Sequence, residues 1–263
     1  MRLLVSYDGT AFAGFQVQPG VRTVQGEIES ALEQVLGREV RIAAAGRTDA
    51  GVHATGQVVS FEDPEADAER ILRGAAGLLP SDLSLEDAQQ GPEGFHARHS
   101  ARGRTYVYLL WNADVRNPLM DRFSIWEPRT LDDDLLAEAL ASIVGTHDFS
   151  SFARIRDDQS PVRTVVEASC RRSGSLVMCR LSANAFLHQM VRSIMGSALE
   201  VASGRRPLSW MEQLLESRSR AGAGNVAPAR GLTLTEVLYE DAPWPRRAAA
   251  AWPWASVPQP ATI

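Results

Sequence analysis

A glycine-spaced segment, AGRTDAGVHATGQ at residues 45–57, constrains the fold of this chain more than any other stretch. Glycine recurs every five residues in it, between runs at 40–45 and 57–61 that are typical of β-strands. Glycine lets the backbone take positive φ and come close to a ligand. Between the glycines lie one carboxylate, Asp49, and one guanidinium, Arg47. The segment predicts a loop that presents an acid and a base, although a turn in which Asp49 bonds its own backbone would leave a similar pattern.

The periodicity of apolar residues predicts both helices and strands along the rest of the chain. Helices are predicted at 23–36, 68–78, 131–144, 185–203 and 207–218. Strands are predicted at 2–7, 40–45, 57–61, 103–111, 162–171, 176–183 and 232–239. Neighbouring strands joined by short turns, with helices between pairs, favour an α+β fold with a largely antiparallel sheet.

Charge and composition restrict the class of protein. The net charge is −5, but arginines alternate with histidine and tyrosine at 96–108, a stretch without acids. Arginines also concentrate at 163–192, where Glu167 is the only acid. Such interleaving suits RNA, since guanidinium groups bind phosphate and rings stack on bases, although solvated arginines on one strand face would look the same. Two cysteines, Cys170 and Cys179, predict free thiols rather than a disulfide framework. No stretch is typical of a signal peptide or a membrane-spanning helix, so we expect a cytoplasmic protein that does not bind a membrane.

Several segments, in order along the chain, resemble the motifs of one family. They are YDGTAFAGFQVQ at 7–18, the loop at 45–57, FHARHSA at 95–101, RTYVY at 104–108, DFSSF at 148–152 and NAFLHQMVR at 184–192. Together they resemble the TruA-type tRNA pseudouridine synthases, and the resemblance extends from about residue 2 to residue 239. One position departs from the family pattern: Phe15 stands where tryptophan is usual, which keeps an apolar ring and loses the indole N–H.

The resemblance implies a fold and an activity. The fold would be the pseudouridine synthase fold, in which two similar α/β halves share one sheet around a central RNA-binding cleft. We expect the halves at 1–115 and 116–240, followed by a flexible tail at 241–263 rich in Pro, Ala and Trp. The activity would be isomerisation of uridine to pseudouridine at positions 38, 39 and 40 in the anticodon stem-loop of tRNA. The enzyme would be a homodimer and would need neither cofactor nor metal.

Asp49 matches the catalytic aspartate of the family, which acts either as a nucleophile or as a general base. Tyr106 matches the tyrosine that lies over the uracil ring, and Arg192 matches an arginine that reaches the aspartate. The residues expected to bind substrate are Arg47, His53, Gln57, Tyr106 and Arg192. Among them, Arg47 would steady Asp49 or a nearby phosphate, and His53 and Gln57 would line the entrance of the loop.

Three alternatives remain open from the sequence. The enzyme could modify an RNA other than tRNA, or the chain could bind RNA without catalysis. A metal hydrolase is the third, because His96 and His99 are three residues apart and Asp49 and His53 are four apart. No ligand signature such as HExxH supports it.

Overall fold

The computed structural model describes residues 1–155 and 159–240, so the tail predicted at 241–263 lies outside the described residues. Within those ranges ten strands form one sheet, accompanied by five α-helices. The strands are β1 (Arg2–Tyr7), β2 (Ala43–Ala44), β3 (His53–Ser60), β4 (Leu83–Gln89), β5 (Gly103–Asn112), β6 (Ile125–Glu127), β7 (Gly145–Asp148), β8 (Val162–Ser173), β9 (Leu176–Ala183) and β10 (Leu232–Leu238). The helices are α1 (Val24–Leu36), α2 (Ala68–Ala76), α3 (Asp133–Ala141), α4 (Met190–Ala202) and α5 (Ser209–Ser217).

The sheet has β10 near its centre. The strand order is β4-β1-β3-β10-β5-β9-β8-β7, with β2 paired to β3 and β6 paired to β5. β10 is parallel to β3, β6 is parallel to β5, and every other pairing among the described strands is antiparallel. The predicted α+β class with a largely antiparallel sheet is therefore confirmed. The division into halves at residue 115 stays a prediction.

Helix α1 shows how local signals determine an element. The hydroxyl of Thr23 accepts the backbone N–H of Gly26 at 3.3 Å, which caps the first turn. Gly37 ends the helix with φ of +72°, a conformation that costs glycine little. Ile28 and Leu32, on the apolar stripe of the helix, are completely buried. The prediction at 23–36 is confirmed, and α1 packs against α2 as α3 packs against α4.

Two predicted boundaries next to the candidate site were wrong. Helix α4 begins at Met190 instead of residue 185, because Gln189 has φ of +64° and cannot continue a right-handed helix. Strand β3 begins at His53, four residues earlier than predicted, because residues 53 and 54 pair with Thr233 and Leu234 of β10. The polar loop between β2 and β3 is therefore shorter than the sequence indicated.

Other differences concern short or edge strands. The run predicted as a strand at 40–45 pairs only at Ala43–Ala44. Strands β4, β6 and β7 were not predicted, since they are short or carry acidic residues that are unusual in strands. β4 lies at an edge of the sheet, where charged side chains face solvent and prevent pairing with other chains.

The cysteine prediction agrees with the structure. Cys170 and Cys179 are direct cross-strand partners in β8 and β9, and both are free thiols. Burial raises the pKa of both thiols, so they remain protonated and poorly reactive at neutral pH. As for a membrane, none of the helices in residues 1–155 and 159–240 has the length and apolarity needed to cross one.

Candidate active site

A tight turn presents the carboxylate of Asp49. The carbonyl oxygen of Asp49 accepts the N–H of Val52 at 3.1 Å, and Gly51 between them has φ of +78°. A turn with positive φ at its third residue strongly favours glycine there. The middle glycine of the sequence motif therefore fixes the direction in which the chain leaves Asp49 and enters β3.

The end of β1 and the loop that follows it pack against this turn. Thr48 joins the two, because its hydroxyl lies 2.8 Å from the hydroxyl of Tyr7 and its carbonyl oxygen accepts the N–H of Phe15 at 3.0 Å. Gly14, at φ of +104°, passes so close that an added Cβ would lie 3.2 Å from that carbonyl oxygen. The ring of Phe15 is buried beside Tyr7, so the family's usual tryptophan is replaced without leaving a polar group unpaired.

Gln57 lies beneath the loop instead of at its entrance. Its side-chain amide donates to the carbonyl oxygen of Gly46 at 2.6 Å, and the side chain is fully buried. Its amide nitrogen also lies 3.5 Å from the hydroxyl of Tyr7, whose pKa burial raises to about 12. Gln57 therefore ties Gly46, near the start of the loop, to β3. Its buried side chain is not accessible to a substrate.

Helix α4 and the residues before it supply the partners of the Asp49 carboxylate. Nη1 of Arg192 donates to Oδ2 at 2.7 Å, while Nε of the same arginine donates to the carbonyl oxygen of Ala227 at 2.8 Å. Nε2 of His188 lies 3.4 Å from the other carboxylate oxygen, Oδ1. The Asp49 side chain keeps 23% of its surface exposed, so a substrate can reach it.

His188 is not among the site residues predicted from the sequence. The four-residue spacing between His188 and Arg192 was a usable signal, since residues so spaced share one face of a helix. However, His188 precedes α4, and the left-handed backbone at Gln189 turns the chain between the two residues. The contact of His188 with Asp49 therefore depends on an irregular turn that periodicity does not reveal.

Tyr106 lies on β5 close to the loop. Its ring packs edge-on against Phe186 at 5.2 Å between centroids, and its hydroxyl lies 3.8 Å from the position that a Cβ of Gly46 would take. Burial raises the pKa of Tyr106, and the nearby Tyr7 and Asp49 raise it further. The phenol is therefore neutral at physiological pH, and it offers a ring face and a hydroxyl rather than a phenolate base.

The remaining predicted residues have different positions. Arg47 is exposed two residues before Asp49. His53 is buried on β3 and its ring contacts the backbone of two other segments: Gly9 donates its N–H to Nδ1 at 3.0 Å, and Nε2 lies 3.1 Å from the carbonyl oxygen of Arg230. The structure thus brings Asp49, Arg192 and Tyr106 together with His188, while His53 serves the packing of three chain segments.

The environment of His53 predicts a pH dependence of stability. A neutral ring protonated on Nε2 satisfies both backbone contacts, because Nδ1 then accepts and Nε2 donates. Burial lowers the pKa of His53, and Asp8, 3.1 Å from Nδ1, opposes this only in part. A lowered folded-state pKa gives stability that is present above the unfolded value of about 6.5 and is lost as pH falls below it.

We therefore expect the free energy of unfolding to fall more steeply below about pH 6.5 in the wild type than in His53→Asn, by up to about 1.4 kcal/mol per pH unit. Urea unfolding between pH 5 and pH 8 measures this slope. His99→Asn, which removes an exposed histidine, serves as the control. Parallel pH profiles for wild type and His53→Asn would show that the pKa of His53 does not differ between the folded and unfolded states.

The described residues contain no group of three or more His, Cys, Asp or Glu side chains placed to hold a metal ion. The rings of His96 and His99 contact each other at a tilt, with 4.3 Å between centroids, and no carboxylate joins them within residues 1–155 and 159–240. Asp49 has the cationic partner Arg192 instead, and His53 is occupied by backbone groups. The donor sets that the metal hydrolase alternative requires are therefore not assembled in this part of the chain.

Comparison with known proteins gives matches over nearly all of the chain. The model of one family, described as tRNA pseudouridine synthase, matches residues 3–100 and 139–240. The tRNA pseudouridine synthase A of Geobacillus kaustophilus is 40% identical over 244 residues, which cover 92% of this chain and 95% of the relative. That of Myxococcus xanthus is 42% identical over 248 residues, covering 92% and 93%.

Among solved structures, a Cbf5-Nop10-Gar1 complex aligns with 90% of this chain and 58% of the matched chain, at 12% identity and a TM-score of 0.36. The conclusion on the family therefore depends on the sequence matches. The two matched ranges contain the turn at Asp49 and the start of α4, which together form the site described above. By these matches the chain belongs to the tRNA pseudouridine synthase family.

Proposed function

We propose that this protein isomerises uridine to pseudouridine at positions 38, 39 and 40 in the anticodon stem-loop of tRNA. The observation that carries the proposal is the ion pair between Asp49 and Arg192, which joins the glycine-spaced loop to α4 beside the ring of Tyr106. We further propose a homodimer that acts in the cytoplasm. Membership in the family and the names of the relatives support the reaction and the class of substrate.

The reaction requires a positioned carboxylate and a pocket for a base that has left its stack. The bond between uracil N1 and ribose C1′ breaks, the base turns, and C5 joins C1′ while its proton leaves and N1 gains one. No electron is transferred to or from the protein in this rearrangement. Because enzymes that act on a base in a helix must extrude it, the target uridine would be flipped toward Asp49.

Each residue of the site has a role in this proposal. Asp49 acts as nucleophile or as general base at the sugar, and both roles need an ionised carboxylate held in one orientation. Arg192 compensates the charge of that carboxylate and fixes its direction through a second bond to the carbonyl oxygen of Ala227. Tyr106 offers a neutral aromatic ring on which the flipped uracil stacks.

Release of tritium from uracil C5 tests the function. We expect the purified protein, in EDTA, to release tritium from a tRNA transcript that carries 5-tritiated uridine, because the C5 proton leaves during isomerisation. A transcript with cytidine at positions 38, 39 and 40 is the control for the site of modification and should release none. Release from both transcripts would move the activity to another position, and release from neither by folded protein that binds tRNA would favour the non-catalytic alternative.

A further inference from the structure

Two arginines lie together beside the segment that carries His188. The backbone N–H of Arg154 donates to the carbonyl oxygen of His188 at 3.1 Å, and Nη2 of Arg220 donates to Oε1 of Gln189 at 2.9 Å. The two arginines therefore contact adjacent residues of the chain. Burial lowers the pKa of Arg220, and the positive charge of Arg154 lowers it further. Neither has a role in the ion pair at Asp49.

The charge of this pair is not compensated within residues 1–155 and 159–240. Nη1 of Arg220 is buried and has no hydrogen-bond partner among these residues. By contrast, Arg172 and Arg180, which the sequence suggested for RNA binding, form ion pairs with Asp133 and Glu167. An anion bound between them would stabilise two neighbouring cations and supply a partner for the buried donor.

The backbone places this arginine pair next to the candidate active site. Gln189 adopts φ of +64°, which is uncommon for a residue with a side chain and is typically retained where function requires it. On one side of this turn His188 contacts Asp49, and on the other Gln189 holds Arg220. The side chains of two adjacent residues, His188 and Gln189, thus connect the carboxylate of Asp49 to the arginine pair.

We propose that Arg154 and Arg220 bind one backbone phosphate of the RNA, next to the nucleotide whose base lies at Asp49. This inference rests on the proposed function. A phosphate accepts hydrogen bonds from both forks of guanidinium donors, which supplies the missing acceptor for Nη1 and removes the repulsion between the two cations. The His188 side chain keeps 48% of its surface exposed, so RNA can approach this face of the protein.

The salt dependence of tRNA binding tests the site. Each phosphate contact contributes a slope of about −0.7 to −0.9 to the logarithm of the binding constant against the logarithm of salt concentration. We expect the double variant Arg154→Gln/Arg220→Gln to bind unmodified tRNA with a slope smaller in magnitude by about one contact than that of the wild type. The control Arg73→Gln/Arg205→Gln changes the net charge equally at arginines paired with Glu69 and Glu200, and it should keep the wild-type slope.

A double variant with the same slope as the control would overturn the phosphate site. Arg154 is exposed, so the single variant Arg154→Gln is expected to fold even if loss of Arg220 disturbs the packing. Its slope must also fall below that of the wild type, and an unchanged slope would again remove the site. Tritium release by the wild type is read separately: release with an unchanged slope rejects the phosphate site alone, whereas a reduced slope without release rejects the proposed function alone.

Discussion

Asp49→Asn is expected to reduce tritium release from uracil C5 by about 10⁴-fold or more, the scale on which enzymes lose activity without their nucleophile or base. The amide has the shape of the carboxylate and can still accept a hydrogen bond from Arg192, so the loop at residues 45–57 should retain its conformation. It lacks the negative charge that either role of Asp49 requires. Single-turnover assays with excess enzyme measure the chemical step without a contribution from tRNA release.

The control for this experiment is Asp114→Asn, which removes an exposed carboxylate outside the site and should leave the rate unchanged. Affinity for tRNA is measured in parallel, and we expect Asp49→Asn to bind at least as tightly as the wild type, because removal of a carboxylate lessens repulsion of the phosphate backbone. A variant that binds tRNA normally and releases tritium at the wild-type rate would exclude Asp49 from the chemistry.

Arg104→Met is expected to lower the free energy of unfolding by about 3–5 kcal/mol, because each buried acceptor that loses its donor costs about 1–3 kcal/mol. Arg104 is 7% exposed and donates to four backbone carbonyl oxygens, those of Ala45, Arg98, Ala101 and Asn184. Methionine fills a similar volume but donates no hydrogen bond, so the buried carbonyl oxygen of Ala45 and the three partly buried carbonyl oxygens lose this donor. Since domains are stable by only about 5–15 kcal/mol, the melting temperature should fall by roughly 10 °C or more.

Chemical denaturation measures this loss, with Arg171→Met on the exposed part of β8 as the matched control that should change stability by less than about 0.5 kcal/mol. The same contacts predict that Arg104→Met also lowers activity. Ala45 leads into the Asp49 loop and Asn184 leads toward His188 and α4, so Arg104 connects the two segments that meet at the site. A stability of Arg104→Met equal to that of the control would mean that solvent or rearranged side chains replace all four contacts.

The parts of the fold that the sequence predicted well are those determined by neighbouring residues. Helix α1 has its cap, its apolar stripe and its terminal glycine within one short window, and its boundaries were correct. Helix α4 and strand β3 were misplaced because distant contacts determine where they begin. Strand β3 is extended by pairing with β10, which lies nearly two hundred residues away in the chain.

The candidate site divides in the same way. Family motifs identified Asp49, Tyr106 and Arg192, and the structure brings these three together. His53 and Gln57 were expected to line the entrance of the loop, but both belong to β3 and point into the packed interior. His188 and Arg220 depend on one left-handed residue, Gln189, whose conformation no local composition indicates.

The central position of β10 has a consequence for the synthesis of the protein. A ribosome makes β3 and β5 long before β10, and neither can pair along the edge that faces β10 until synthesis has reached about residue 238. During that interval the two strands expose unpaired backbone groups on either side of a gap that only β10 fills. Closure of the sheet is therefore a late and non-local event in folding, and so is the pairing of β3, the strand that follows Asp49, with β10. A chain that lacks β10 would therefore have the loop at residues 45–57 without the pairing that extends β3 to His53.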